Sequence, residues 1–229
     1  MEYRTIQLVM NKKIFFSQNF NHNNGGYGYL YNLYAASNLN FAPTDWKVPT
    51  DSEYTTLTDY IGGLSVAGGY MKEIGFTHWD SPNTGADNSY NFTALGSGVR
   101  SQLDGLFYSI KSGCYLGSST PSSSSSNWIR ILGYASASVN RSGFSKKTGV
   151  AIRLIYVGTN TPASTITDYD GNEYDVIQIG SQYWLKQNWK CTHLNDGTEL
   201  TKVTDNTTWS NATSGNLYYC AYDNDESNV

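Results

Sequence analysis

Apolar positions along this chain follow a helical period in one short stretch and a strand-like one over most of the rest. Tyr54, Leu57 and Ile61 recur at helical spacing. Thr50 and Glu53 stand where a capping box needs them, and Gly62-Gly63 stops the run, which predicts a helix within 49–63. A weaker helix is expected after Ser65, through Met71 and Ile74, loosened by Gly68-Gly69. Residues 1–26 read as two short strands ending in the turn NHNNGG, and GYLYNLYAA (28–36) is continuous enough to be buried. Residues 75–100 are loop-like, which in a compact domain calls for anchors, here Trp79, Tyr90 and Phe92. From 105 to 157 the runs LFYSI, CYLGSS, NWIRILGY and GVAIRLIYV, parted by Gly and Ser, predict a β-meander. Arg130 between Ile129 and Ile131 has the alternation of a half-buried strand.

TNTPAST (159–165) has linker composition, and Asp170-Gly171 and the later NDGTEL mark tight turns around the strand YWLKQNW. The segment YDVIQIGSQYWLKQNW (174–189) has an echo in YRTIQLVMNKKIFFSQNF (3–20). Tyr174 and Ile177 match Tyr3 and Ile6, and Gln187-Asn188-Trp189 matches Gln18-Asn19-Phe20, with two extra residues between the anchors of the first copy.

Composition supports a loop-rich, β-dominated domain: 19 Tyr, 6 Trp and 8 Phe stand among Gly, Ser and Asn, while only 15% of residues are charged. The 15 basic and 19 acidic side chains form no basic stripe, which argues against nucleic-acid binding. No apolar run approaches the roughly 20 residues of a membrane span, so no membrane insertion is expected. The start MEYRTIQLVMNKK does not read as a signal peptide. Cys114, Cys191 and Cys220 read as buried thiols, although Cys191 and Cys220 could pair in an oxidising setting. His22, His78 and His193 lack metal-ligand spacing and no catalytic motif occurs, so no catalytic residue, metal or cofactor is expected. Asp168, Asp170, Asn172 and Glu173, and likewise Asp223, Asp225 and Glu226, carry oxygens suited to calcium, but both groups read better as turns.

The order DxDGNxYxxIxIGxQxW, NDGT, VTDNTxWSN and YYxxYxNDE resembles the front half of a Fibrobacter succinogenes major paralogous domain. YGYLYNLYA, APTDWKVPTDSEYTTLTDYIGG, AGGYMKE, THWDSPNTGA, FTAL and VNRSGFSKKTGVAIRL resemble its back half. The resemblance implies a β-dominated α+β domain of C-type-lectin-like fold, with one or two short helices and a late β-meander, related to the formylglycine-generating-enzyme fold. Members often have Cys where this chain has Ala42 and Leu154, and the halves stand here in reverse order. One reading takes 1–157 as a domain with a shortened front half, 158–167 as a linker and 168–229 as the front half of a second copy. The other takes 168–229 as completing the back half, within the chain or across two neighbours. The tandem reading is preferred, because the strand at 3–20 and that at 174–189 cannot fill one slot together.

Domains of this kind occur on bacterial surfaces and in phage proteins. The resemblance therefore implies a non-enzymatic recognition module on a virion surface, or alternatively on a bacterial or extracellular surface. Its expected partner is a bacterial surface glycan or protein, in a homo-oligomer or virion assembly. Tyr115, Ser118, Ser119, Asn127, Trp128, Arg130, Tyr134 and Asn140, around PSSSSSNW (121–128), are the candidate ligand-binding residues. Tyr and Trp bring contact area at low entropic cost, and Ser and Asn bring adaptable hydrogen bonds. The alternative is a structural subunit whose 168–229 segment exchanges between neighbours to build a fibre.

Overall fold

The computed structural model describes residues 26–229; the echo at 3–20 lies outside the described residues. The fold is β-dominated α+β, with four short α-helices among the described residues. The predicted helix is α2, Asp51–Tyr60, the longest of them. Thr50 accepts from the Glu53 amide and Glu53 accepts from the Thr50 amide, the reciprocal box its sequence predicts. Tyr54 and Leu57 on its inner side, with Ile61 just beyond its end, are buried. The weaker helix, α3, is shorter than its pattern, Ala67–Met71. Its glycines serve close packing: a Cβ on Gly68 would lie 2.4 Å from the Ser138 carbonyl oxygen, and one on Gly69 2.4 Å from that of Gly85. α1 (Leu33–Ala36) is capped by the Asn32 side chain, and α4 (Asn206–Ser210) by that of Asp205.

Two sheets carry the chain. The larger contains β1 (Leu30–Asn32), β3 (Ser97–Arg100), β4 (Phe107–Ile110), β5 (Gly113–Ser123), β6 (Ser126–Gly133), β7 (Val139–Ser145), β8 (Gly149–Ala151), β13 (Thr201–Lys202) and β14 (Tyr218–Cys220). Its order is β13-β14-β1-β8-β3-β5-β6-β7, with β4 paired to β3. The smaller runs β10-β11-β12-β9-β2, from β2 (Trp46–Lys47), β9 (Ile155–Tyr156), β10 (Thr165–Thr167), β11 (Glu173–Ile179) and β12 (Gln182–Leu185). Of the expected meander, only β5, β6 and β7 follow one another directly. β8 leaves that edge and inserts between β1 and β3, because its GVA run is buried throughout and needs cover on both sides.

Residues 168–229 belong to both sheets. β14 pairs antiparallel with β1, Leu30 opposite Cys220, and β12 pairs with β9, Trp184 opposite Ile155. The Tyr27 amide donates to the Asn228 carbonyl at 2.6 Å, and Gly26 lies directly against Val229. β12 and β14 of 168–229 thus pair with strands of 27–157 in the same chain. Arg153 is wholly buried and donates to the Asn188 side chain at 2.7 Å, and Trp184 packs on Tyr54 and Phe92. Within the expected linker, 158–164 is a largely exposed connection, whereas Thr165–Thr167 form β10 and pair with β11.

Candidate functional site

The hairpin pair β5–β6–β7 carries seven of the eight residues singled out by sequence, and its pleat sorts them onto two faces. Cross-strand partners share a face. Leu116, Arg130 and Arg141 form one row beneath α2, with Trp128 one row along. Arg130 is buried; its Nη1 donates to Asp51 Oδ1 at 2.6 Å, and its Nη2 to the Asp51 carbonyl at 2.9 Å and Thr55 Oγ1 at 3.1 Å. Arg141 grips the same carboxylate from outside, Nε to Oδ1 at 2.8 Å and Nη2 to Oδ2 at 2.9 Å. Its guanidinium also lies 3.3 Å from the centre of the Trp128 ring. Burial alone would push the Asp51 carboxyl up, but the hydrogen bonds and charges of Arg141 and Arg130 outweigh it and hold the group below its ordinary 3.8. This face joins the helix start to the sheet.

The opposite face is core where Gly117 and Ile129 lie beneath α1 and opens to solvent beyond them. A Cβ on Gly117 would meet Ile152 at 2.7 Å and Leu33 at 2.9 Å, so only glycine fits there. The next row is Tyr115, Ile131 and Asn140, half-buried, half-buried and exposed across three strands. The Tyr115 and Phe144 rings meet edge to face, centroids 6.1 Å apart, and Tyr115 Oη reaches Ser109 Oγ at 3.4 Å. Tyr108, opposite Val99 on β3, extends the surface and is exposed, as are Leu103 and Leu106 on the loop before it. Asn140 and Ser142 make no side-chain hydrogen bond among the described residues. A rigid sheet thus presents aromatic edges and uncommitted polar groups side by side.

The structure separates the predicted residues accordingly. Ser118 is buried, its hydroxyl donating to the Trp128 carbonyl at 2.7 Å. Asn127 is buried and donates to the Ser118 carbonyl at 2.9 Å. Ser119 donates to the Pro49 carbonyl through both its amide and hydroxyl. Arg130 and Trp128 hold α2, and Tyr134, past the end of β6, packs half-buried on the core beside α3. Only Tyr115 and Asn140 share the open surface, together with Tyr108, Ile131, Ser142 and Phe144. The missing signal was the register, since without it Phe144 and Tyr115 cannot be known to meet. The Ser run itself forms the exposed tip of the β5–β6 hairpin.

The other chemically suggestive groups are turns and anchors. Asp168 accepts from the Asp170 and Asn172 amides, Asn172 Nδ2 and Tyr174 Oη, which commits both of its oxygens. Asp170 pairs with His193 Nδ1 and accepts from Thr192, and His78 Nδ1 lies 2.8 Å from Glu73. Asp223 and Asn224 adopt left-handed backbone in the final turns. Among the described residues no group of three His, Cys, Asp or Glu is placed to hold a metal ion. All three cysteines are buried and unpaired, and burial pushes each thiol up to about 12. No helix among the described residues is long and apolar enough to cross a membrane.

Comparison with protein families finds one match, the Fibrobacter succinogenes major domain, over residues 2–156. No curated protein and no solved structure matches the chain.

Proposed function

The chain belongs to the Fibrobacter succinogenes major domain family, and from that premise we propose that it is a non-enzymatic recognition module of lectin-like design. Its place is a phage fibre or virion surface, where it binds a bacterial surface glycan or protein. One observation carries the reading: the open face of β5–β6–β7 sets Tyr115 and Phe144 beside Asn140 and Ser142, with Tyr108 exposed on β4, on a sheet fixed from behind by Asp51, Arg130 and Arg141. Aromatic faces stack against sugar rings or apolar side chains, and the uncommitted amide and hydroxyl supply directional hydrogen bonds. Because the scaffold is rigid, little ordering entropy is lost on binding. The test is binding of the intact protein to an array of bacterial surface glycans and to whole cells. Loss of binding in Tyr115→Ala and Asn140→Ala, with folding retained, supports the reading, and unchanged binding opposes it.

A structural subunit that exchanges 168–229 between neighbours is the second reading. It is favoured by the exposed 158–164 connection, which joins a large paired segment to its partners. Chains mixed in two isotopic forms would form hybrid oligomers if exchange occurs, and remain separate if it does not.

A further inference from the structure

An open sheet edge presents unpaired N–H and C=O groups to any strand that can reach it, and most edges among the described residues are too short to do so. The larger sheet runs from β13 to β7 and the smaller from β10 to β2. β13 and β2 have two residues each and β10 has three, and Lys202 on β13 is paired with Glu226. β4, beside β3, has four residues and is bent by the left-handed backbone of Ser109. β7 differs from all of these. It has seven residues, pairs with β6 without a register shift, and contains no proline, no lysine and no left-handed residue.

Which backbone groups of β7 face outward follows from one hydrogen bond. The Val139 amide donates to the Leu64 carbonyl at 2.7 Å, away from Leu132, its opposite residue on β6. Successive residues of an antiparallel strand turn their backbone groups to opposite sides. Val139, Arg141, Gly143 and Ser145 therefore point to the outer edge, and Asn140, Ser142 and Phe144 point to β6. The Lys146 amide keeps this alternation by donating to the Ser125 carbonyl, on the β6 side, at 2.9 Å. Two outward groups are already used: the Val139 amide, and the Ser145 carbonyl, which accepts from the Thr148 amide at 2.9 Å. Arg141 and Gly143, both exposed, keep amide and carbonyl unpaired among the described residues, as do the Val139 carbonyl and the Ser145 amide.

We propose that this edge pairs antiparallel with β7 of a second copy of the chain, about a twofold axis at Ser142. In that register Arg141 stands opposite Gly143 of the second copy, and each such pair exchanges two hydrogen bonds. Val139 then stands opposite Ser145. The free Ser145 amide meets the free Val139 carbonyl, and the two groups already used face each other and need no partner. The neighbouring registers fit worse. An axis at Arg141 sets two like charges opposite one another and turns Gly143 to the occupied Val139 amide. An axis at Gly143 turns Arg141 to the occupied Ser145 carbonyl. Glycine opposite Arg141 also leaves room for the guanidinium that lies on Trp128. Because Asn140, Ser142 and Phe144 share one face of β7, the open faces of the two copies join into one symmetric surface. The pairing itself does not depend on what that surface binds.

The test is sedimentation of the full chain over a range of concentrations, with hydrogen exchange at both ends of the range. A dimer is expected, with the Arg141 and Gly143 amides exchanging at least about tenfold more slowly when it is populated. Gly143→Pro removes an amide that points away from β6, so it is expected to leave a folded monomer. A second variant does not rely on that substitution. Ser142 meets its own copy in a pair without hydrogen bonds, where Cα atoms lie about 4.5 Å apart, within disulfide reach. Ser142→Cys is therefore expected to crosslink the dimer on oxidation, whereas Asn140→Cys, which lies opposite Phe144, is not; the three native cysteines are buried. The proposal is overturned by a chain that stays monomeric at every concentration, by a dimer that survives in folded Gly143→Pro, or by Asn140→Cys crosslinking as readily as Ser142→Cys.

Discussion

The two faces of β5–β6–β7 differ in how their polar side chains are partnered. Under α2, the charged side chains are paired: Asp51 receives Arg130 and Arg141 together, and Arg141 is sandwiched between that carboxylate and Trp128. On the open face, the side chains of Asn140 and Ser142 have no hydrogen-bond partner among the described residues, and Tyr115 and Phe144 cover each other only edge to face. A polar residue satisfied inside the fold is costly to remove and has little left to offer a ligand. One left unsatisfied at the surface costs almost nothing to remove and is available for recognition.

Substitutions should reveal this asymmetry as stability on one side and binding on the other. Arg130→Ala removes the buried half of the Asp51 clamp, leaving the carboxylate to Arg141 alone, and is expected to cost about 2–3 kcal/mol in a denaturant titration, the usual effect of losing hydrogen bonds to a charged group. The helix-side junction should also weaken in acid. The carboxyl of Asp51 is lower in the folded chain than its ordinary 3.8, so its contribution is complete above that value and is lost as pH falls through the folded one. In acid titrations of stability, Asp51→Asn should flatten this part of the profile. Trp128→Leu removes the ring beneath Arg141 and is expected to cost roughly 1 kcal/mol, read as a shift in the denaturation midpoint. Asn140→Ala should stay within about 0.5 kcal/mol of the parent chain by the same titration. A large stability loss there would mean that the open face is structural after all.

Much of the helix side was legible in sequence, because its signals are local. Thr50, Glu53 and the Tyr54–Leu57–Ile61 spacing define α2 within a dozen residues, and the Asp-Gly pairs mark their turns. Arg130 was readable as a strand residue between two isoleucines, but its partner Asp51 is 79 residues away. Ser118, Asn127 and Arg130 have the composition of a binding surface and are buried, since which side of a strand faces solvent depends on register and on what covers it. Phe144 and Tyr108 went unnoticed for the same reason. Nor could local pattern say where 168–229 finds its partners. Tyr174, Trp184 and Trp189 announce a buried hairpin, but β9 and Arg153, which receive it, carry no mark of their missing neighbour.

In the proposed function the open face recognises a ligand, while the helix-side face only holds the sheet. The most direct measurement is binding of the intact protein to bacterial surface glycans and whole cells, beside the triple variant Tyr108→Ala, Tyr115→Ala, Asn140→Ala. The parent chain is expected to bind, and the triple variant to lose at least about a hundredfold in affinity, roughly 1 kcal/mol for each group removed, while its circular dichroism is unchanged. A folded triple variant that binds as well as the parent, or a parent chain that binds nothing on the array or the cells, would contradict it.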